Sequence, residues 1–196
     1  MASKTDIVNF GLIALGEERV SNVDTDNSKP TRVMSELYSI TRDAMLCNYP
    51  WNFSIKRAAI PASLSAPAWG YSKAFPLPSD FLSLLYIKDN VMDYSIEAGG
   101  ILCNEAAPLY IKYIAKITDE TVFDPIFCKA LGLQLGLSAC EAITQSSTKK
   151  QIIAAELQEV VSSAYANNII QNPNQILNES EWVESRYAYD PFIRLV

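Results

Sequence analysis

The strongest hydrophobic periodicity in the chain lies between residues 124 and 172, where two long apolar segments flank a polar break at Gln145-Ser146-Ser147-Thr148. Phe127, Leu131, Gln134, Leu135, Ser138 and Ala142 recur at helical spacing, and Ile126, Ala130, Leu133, Leu137, Cys140 and Ile143 cover much of the opposite side. A helix apolar nearly all round belongs at the centre of a bundle. Asp124 and Pro125 predict its start: the carboxylate accepts from a free first-turn N–H, and proline loses no hydrogen bond at the first helical position. Gly132 and Gly136, four residues apart, predict a flat strip on which a neighbouring backbone comes close. Lys129, Gln134 and Glu141 break the run, leaving an apolar stretch shorter than the ~18–20 residues a bilayer demands. The second segment, 149–172, places Ile152, Ile153, Leu157, Val160, Val161 and Ala164 on its buried side, and Pro173 ends it.

Earlier in the chain the pattern predicts two shorter helices. The first opens on Ser3 or Thr5, carries Ile7, Val8, Phe10, Leu12 and Leu15, and closes on Gly16 in the left-handed conformation. Residues 17–28 read as a polar surface loop around Val20. Ser28 then caps a second helix, with Pro30 in its first turn, that reaches about Asn48; its Val33, Leu37, Ile40, Ala44 and Cys47, in steps of four and three, predict a seam for another helix. Pro50 stops it, and Trp51-Asn52-Phe53 forms an aromatic corner in which Trp51 and Phe53 are expected to be buried.

From residue 55 to 118 the period changes from helical to alternating. Ile55–Ile60 and the runs 82–88, 92–97, 101–104 and 109–117 are short and rich in branched and aromatic residues, with turn residues between them. They predict antiparallel strands, with hairpin turns at Gly99-Gly100 and Asp89-Asn90. Residues 61–80, with four prolines and Trp69, read as an irregular crossing. The expected fold class is therefore α+β: a bundle of about four helices (1–54 plus 119–172), an inserted antiparallel β-domain, sheet or small barrel (55–118), and an extended C-terminal arm (173–196).

Composition narrows the chemistry. Of 196 residues 49% are hydrophobic, ample for a core, and sixteen Lys and Arg against twenty-two Asp and Glu give a net charge of −6. An acidic chain without a visible basic stripe is not expected to grip nucleic acid as its main task. There is no histidine, and Cys47, Cys103, Cys128 and Cys140 have no metal spacing, so neither a metal site nor a cofactor is expected. Cys128 and Cys140 share a helix about 18 Å apart at ~1.5 Å per residue, and buried free thiols are the expectation. The first sixteen residues, broken by Asp6 and Asn9, are not expected to be a secretory leader.

Three local patterns suggest chemistry, and each has a plainer explanation. Ser146-Ser147-Thr148-Lys149 satisfies the Ser-x-x-Lys spacing of acyl-enzymes without the companion motifs, and a capped turn between helices accounts for it. Asp24-Thr25-Asp26 opens like a calcium loop but lacks the glycine at the sixth position and the glutamate at the twelfth. Glu179, Glu181 and Glu184 could supply the paired acids of a glycosidase only if a cleft held them. Nothing combines nucleophile, base and oxyanion donors, so no enzyme is expected.

Several short motifs in a fixed order carry a family resemblance: Ala14-Leu15-Gly16-Glu17 with Val20-Ser21 and an Asp-rich loop; Tyr49-Pro50-Trp51-Asn52-Phe53; Leu77-Pro78-Ser79-Asp80-Phe81-Leu82; Phe123-Asp124-Pro125-Ile126-Phe127; and Trp182 with Arg186. Over nearly the whole chain their order and spacing resemble the tail tubular protein A family, the head-to-tail adaptors of short-tailed bacteriophages. Ser54 stands where the family often has Ala, and Gly132 and Gly136 where larger residues or Ala are common. The resemblance implies a structural virion protein in the neck of the tail, assembled in the host cytoplasm as a dodecameric ring. That ring would sit between the portal protein and the nozzle protein (tail tubular protein B), with tail fibres near the junction and DNA passing through without specific binding. Trp182, Arg186, Tyr187, Tyr189 and Phe192 are then the expected portal or neighbour interface, and Gly16, Trp51, Phe53, Pro78, Asp80, Asp124 and Pro125 the structural motif positions. Two other classes stay open: a tail-associated glycan hydrolase using Asp and Glu, and a monomeric intracellular binding protein.

Overall fold

The computed structural model describes residues 2–91 and 93–171. Its central element is a helix over Pro125–Ile143 (α3), preceded in the chain by helices Lys4–Leu15 (α1) and Lys29–Asn48 (α2) and followed by Ser147–Gln171 (α4). Phe127, Ala130, Leu131, Leu133, Leu135, Ala139 and Cys140 of α3 are all buried, in one core with residues from α1, α2 and α4. By length and composition alone α3 could cross a membrane, so its three polar interruptions are a weaker exclusion than the sequence suggested. What identifies it as a core helix is the set of helices packed around it. Its start is as expected: the Asp124 carboxylate accepts from the Ile126 N–H at 2.8 Å, with Pro125 at the first position.

The glycine strip on α3 does what its spacing predicts, and α1 supplies the other half. A methyl carbon on Gly132 would lie 2.9 Å from the Ile7 carbonyl oxygen, and one on Gly11 would lie 2.7 Å from the Gly132 carbonyl oxygen. The two backbones touch, which only residues without a Cβ permit. At the start of α1 the cap is Ser3 rather than Thr5: the Ser3 hydroxyl accepts from Asp6 N–H and the Asp6 carboxylate accepts from Ser3 N–H. The α1 end is Gly16 at φ +76°, as expected, with the Gly16 and Glu17 N–H groups bonded back to the Ile13 and Leu12 carbonyls.

Four sequence expectations about burial are corrected. In α2 the buried face is Thr31, Met34, Tyr38, Thr41, Met45 and Leu46, one position round from the expected seam; Val33 and Leu37 are half-covered, while Ile40, Ala44 and Cys47 are exposed. Two stripes with the same spacing run along this helix, and the one with the larger Met and Tyr side chains fills the core. In α4, Ile153, Val160 and Ala164 are buried as expected but Ile152 is 63% exposed. Of the four free thiols only Cys103 and Cys140 are buried, Cys47 being exposed. The loop 17–28 is pinned rather than merely solvated: Val23 is buried, and the Asn9 amide bonds both the N–H and the carbonyl of Val20 at 2.8 Å. Ser28 precedes α2 but does not cap it, its hydroxyl engaging Asp26 and Thr31 instead.

Between α2 and α3 the chain forms strands Ile55–Ile60 (β1), Lys73–Pro76 (β2), Phe81–Ile87 (β3), Tyr94–Glu97 (β4), Gly100–Cys103 (β5) and Leu109–Ala115 (β6). They make two antiparallel three-stranded sheets, ordered β1-β6-β3 and β2-β5-β4. The class is α+β, as the pattern predicts. Strand β2 lies inside the stretch expected to be irregular. Its four residues include a proline, which an edge strand accepts because no ladder partner needs the missing N–H. The β4–β5 hairpin turns on Ala98 and Gly99, both at positive φ, one residue earlier than the expected glycine pair. Ile60, Phe75, Ile87, Ile101, Cys103, Leu109, Ile111 and Tyr113 form a second core between the sheets.

Candidate assembly surfaces

Trp51, Phe53, Asp124 and Pro125 lie where the end of α2 meets the start of α3, whereas Gly16 lies at the other end of α3, beside Lys149 of α4. Trp51 is buried, its indole N–H donating to the Met45 carbonyl at 3.1 Å, and its ring lies edge-on to Tyr49 and Phe127, 5.0 Å from each. Phe53 is only half-buried, but it stacks into the same cluster with Phe123 and Phe127. The corner thus joins the end of α2 to the start of α3.

A charged knot sits beside the aromatic one. Arg42, buried in α2, donates from Nε and Nη2 to one oxygen of Asp43, and Lys116 pairs with the other at 2.7 Å. Partial burial raises the Asp43 carboxyl, but the bonds from Lys116 and Arg42 outweigh it and hold the group below the usual carboxylate range. The backbone N–H of Lys116 reaches the Asp80 carbonyl at 2.6 Å. The Asp80 side chain takes Lys56 at 2.7 Å and the Tyr113 hydroxyl at 3.0 Å, and the lysine chiefly lowers its pKa. The reciprocal effect, burial first and then Asp80, pushes the Tyr113 hydroxyl up to about 12. Pro78 contributes its carbonyl to Phe81 N–H, closing the turn that presents Asp80. These carboxylates are committed to cations and hydroxyls, an arrangement that clamps strands rather than moves protons.

Two of the three patterns with possible chemistry resolve into structure. The Ser146 hydroxyl receives the Lys149 N–H, while the Lys149 ammonium donates to the Leu15 carbonyl at 2.7 Å, satisfying the end of α1 instead of activating a nucleophile. Asp24 pairs with Lys4, and among the described residues no cluster of three metal-ligating side chains occurs. Trp182, Arg186, Tyr187, Tyr189 and Phe192, together with Glu179, Glu181 and Glu184, lie outside the described residues.

Two exposed apolar surfaces stand out among the described residues. One is the outer edge of α2, where Ile40, Ala44 and Cys47 are exposed, Ile40 to 71%, while Val33 and Leu37 beside them lean partly on the core. The other is the loop 61–72, twelve residues without a charge, in which Leu64 is fully exposed and Trp69 is 87% exposed. The stripe is legible in the sequence as a seam, though without the knowledge that it faces outward. No protein-family model and no curated protein matches this chain.

Proposed function

We propose that the chain is a structural subunit of a phage neck, a head-to-tail adaptor that forms a ring between the portal and the tail nozzle around the path of the ejected DNA. The observation that carries this reading is the pair of open apolar surfaces on different parts of one chain. A head-to-tail ring needs two unlike, mutually fitting patches per subunit, because each contact joins different faces of successive copies. Exposed large apolar side chains, Ile40 on α2 and Leu64 and Trp69 in the uncharged loop, are the kind that such contacts cover. The ordered motifs that resemble the tail tubular protein A family supply the particulars of this reading. These are a dodecamer, a portal above, a nozzle protein below and fibres at the junction.

The C-terminal segment serves in this reading as the arm that reaches a neighbour or the portal, since aromatic and Arg side chains dominate interface energies and Trp182, Arg186, Tyr187, Tyr189 and Phe192 are concentrated there. The test is deletion of residues 180–196. The shortened chain should keep its melting temperature while light scattering and electron micrographs, taken with the portal present, lose the ring. A full-length chain that stays at 21.7 kDa with the portal present would refute the adaptor reading. Release of reducing sugar from host polysaccharide, abolished by one carboxylate substitution, would move the assignment to the glycan hydrolase.

A further inference from the structure

The first sheet places together cations that lie far apart in the sequence. Directly opposed residues of antiparallel neighbours share a face, as do residues two apart on one strand. Across one row the register sets Arg57 of β1 against Lys112 of β6, and Lys112 against Tyr86 of β3. In the next row Tyr110 of β6 stands against Ala59, and the Lys88 ammonium lies 5.2 Å from the Tyr110 ring centroid. Arg57, Lys112 and Lys88 thus converge on one outward face with two tyrosines, of which Tyr86 is 43% and Tyr110 is 49% exposed. The other face of the same strands carries Ile87 and Ile111, both buried in the core between the sheets.

None of these three cations has an ion-pair partner among the described residues. Other cations of the chain are used: Lys56 by Asp80, Lys116 by Asp43, Lys129 by Glu156. Asp89 follows Lys88 in the chain and tempers the patch at that end, but forms no ion pair with any of the three cations. On a chain of net charge −6, an uncompensated cationic row is a local inversion of the overall field. Strands ~4.8 Å apart and same-face residues ~6.8 Å apart along a strand set the three cations on a grid a few ångströms in pitch, over which an extended polyanion can lie.

We infer that this face binds the phosphodiester backbone of nucleic acid, weakly and without regard to sequence, with Arg57, Lys112 and Lys88 on phosphates and Tyr86 and Tyr110 against bases or sugars. Charge alone would admit an acidic protein surface. The tyrosines favour nucleic acid, since every base has a π-face to stack on an aromatic ring and a carboxylate has none. This goes beyond the adaptor reading and does not depend on it: a single chain carries the whole face, so it can be tested without a ring.

The test uses the full chain and fluorescein-labelled 20-nucleotide single-stranded and duplex DNA, read by anisotropy between 20 and 200 mM salt. Three phosphate contacts predict a salt slope of about −2 for the single strand, so that affinity falls roughly 20-fold between 50 and 200 mM. Arg57→Gln with Lys112→Gln should weaken binding at least tenfold and flatten the slope. Lys129→Gln, which removes an already paired cation on the bundle, should leave both unchanged. Tyr86→Leu should weaken the single strand severalfold more than the duplex. Circular dichroism melts of each variant separate loss of the face from loss of the fold, and Arg57→Lys should rescue. Absence of binding at 20 mM salt, an unaltered slope in the double variant, or equal competition by poly-glutamate at matched charge would overturn the assignment.

Discussion

Substituting Gly11 by Ala sets two well-defined effects against each other. In the middle of α1 the change should raise helix propensity, a gain of about 1 kcal/mol. The added carbon, however, would lie 2.7 Å from the Gly132 carbonyl oxygen, 0.7 Å inside the 3.4 Å at which ordinary contact begins, and 3.1 Å from the Met34 methyl. The methyl can swing away, but the carbonyl belongs to a helix that α2 and α4 hold in place. Relief therefore requires α1 to move off α3 as a unit, taking Ile7, Leu12 and Leu15 with it. Overpacking of this kind costs about 1–3 kcal/mol, and a backbone obstacle belongs at the upper end. The expected net loss is about 2 kcal/mol, or a Tm lower by about 4–8 °C in a chain of this size. Gly136→Ala meets the Gly11 carbonyl at 3.2 Å, a milder shortfall, so its two effects should cancel to within about 1 kcal/mol. Thermal unfolding followed by circular dichroism ranks the variants. A Gly11→Ala protein more stable than its parent would show that propensity decides and that the α1–α3 contact is not tight.

Trp51→Ala empties the centre of the aromatic corner and leaves the Met45 carbonyl without its donor, so it should cost about 3–5 kcal/mol; a melt that matches the parent would remove the corner from the core. Asp43 and Asp80 have folded pKa values below the ordinary Asp value of about 3.9, so their stabilisation is complete above that value and is lost as pH falls through the lower folded values. Asp43→Asn should accordingly flatten the urea midpoint against pH below about 4, and an unchanged profile would mean that the Lys116 pair contributes nothing. Ile40→Asp, on the exposed stripe of α2, should leave the stability of the isolated chain within about 0.5 kcal/mol of the parent and abolish the ring seen by light scattering. Normal assembly of that variant would remove the stripe from the subunit contact.

Much of this fold is legible because local chemistry and tertiary demand agree. Asp124-Pro125, Gly16 and the alternation of residues 109–115 each have a short-range cause, and the structure places all three as that cause requires. Sequence fails where two patterns compete or where the partner is distant. Along α2 the stripes beginning at Val33 and at Met34 have the same spacing, and choosing between them requires knowing that Arg42 is buried against Asp43, which also pairs with Lys116, 73 positions further along the chain. Of the stripe beginning at Val33, only Val33 and Leu37 lean on the core, and Ile40, Ala44 and Cys47 face outward. Register hides the cationic face in the same way. Arg57, Lys112 and Tyr86 belong to three separate runs, and only pairing β1, β6 and β3 in the observed register brings them into one row. A net charge of −6 summed over the chain excludes a protein covered in cations, but it has no bearing on a sheet face a few residues wide. A sequence without a basic stripe can therefore still fold into a surface that has one.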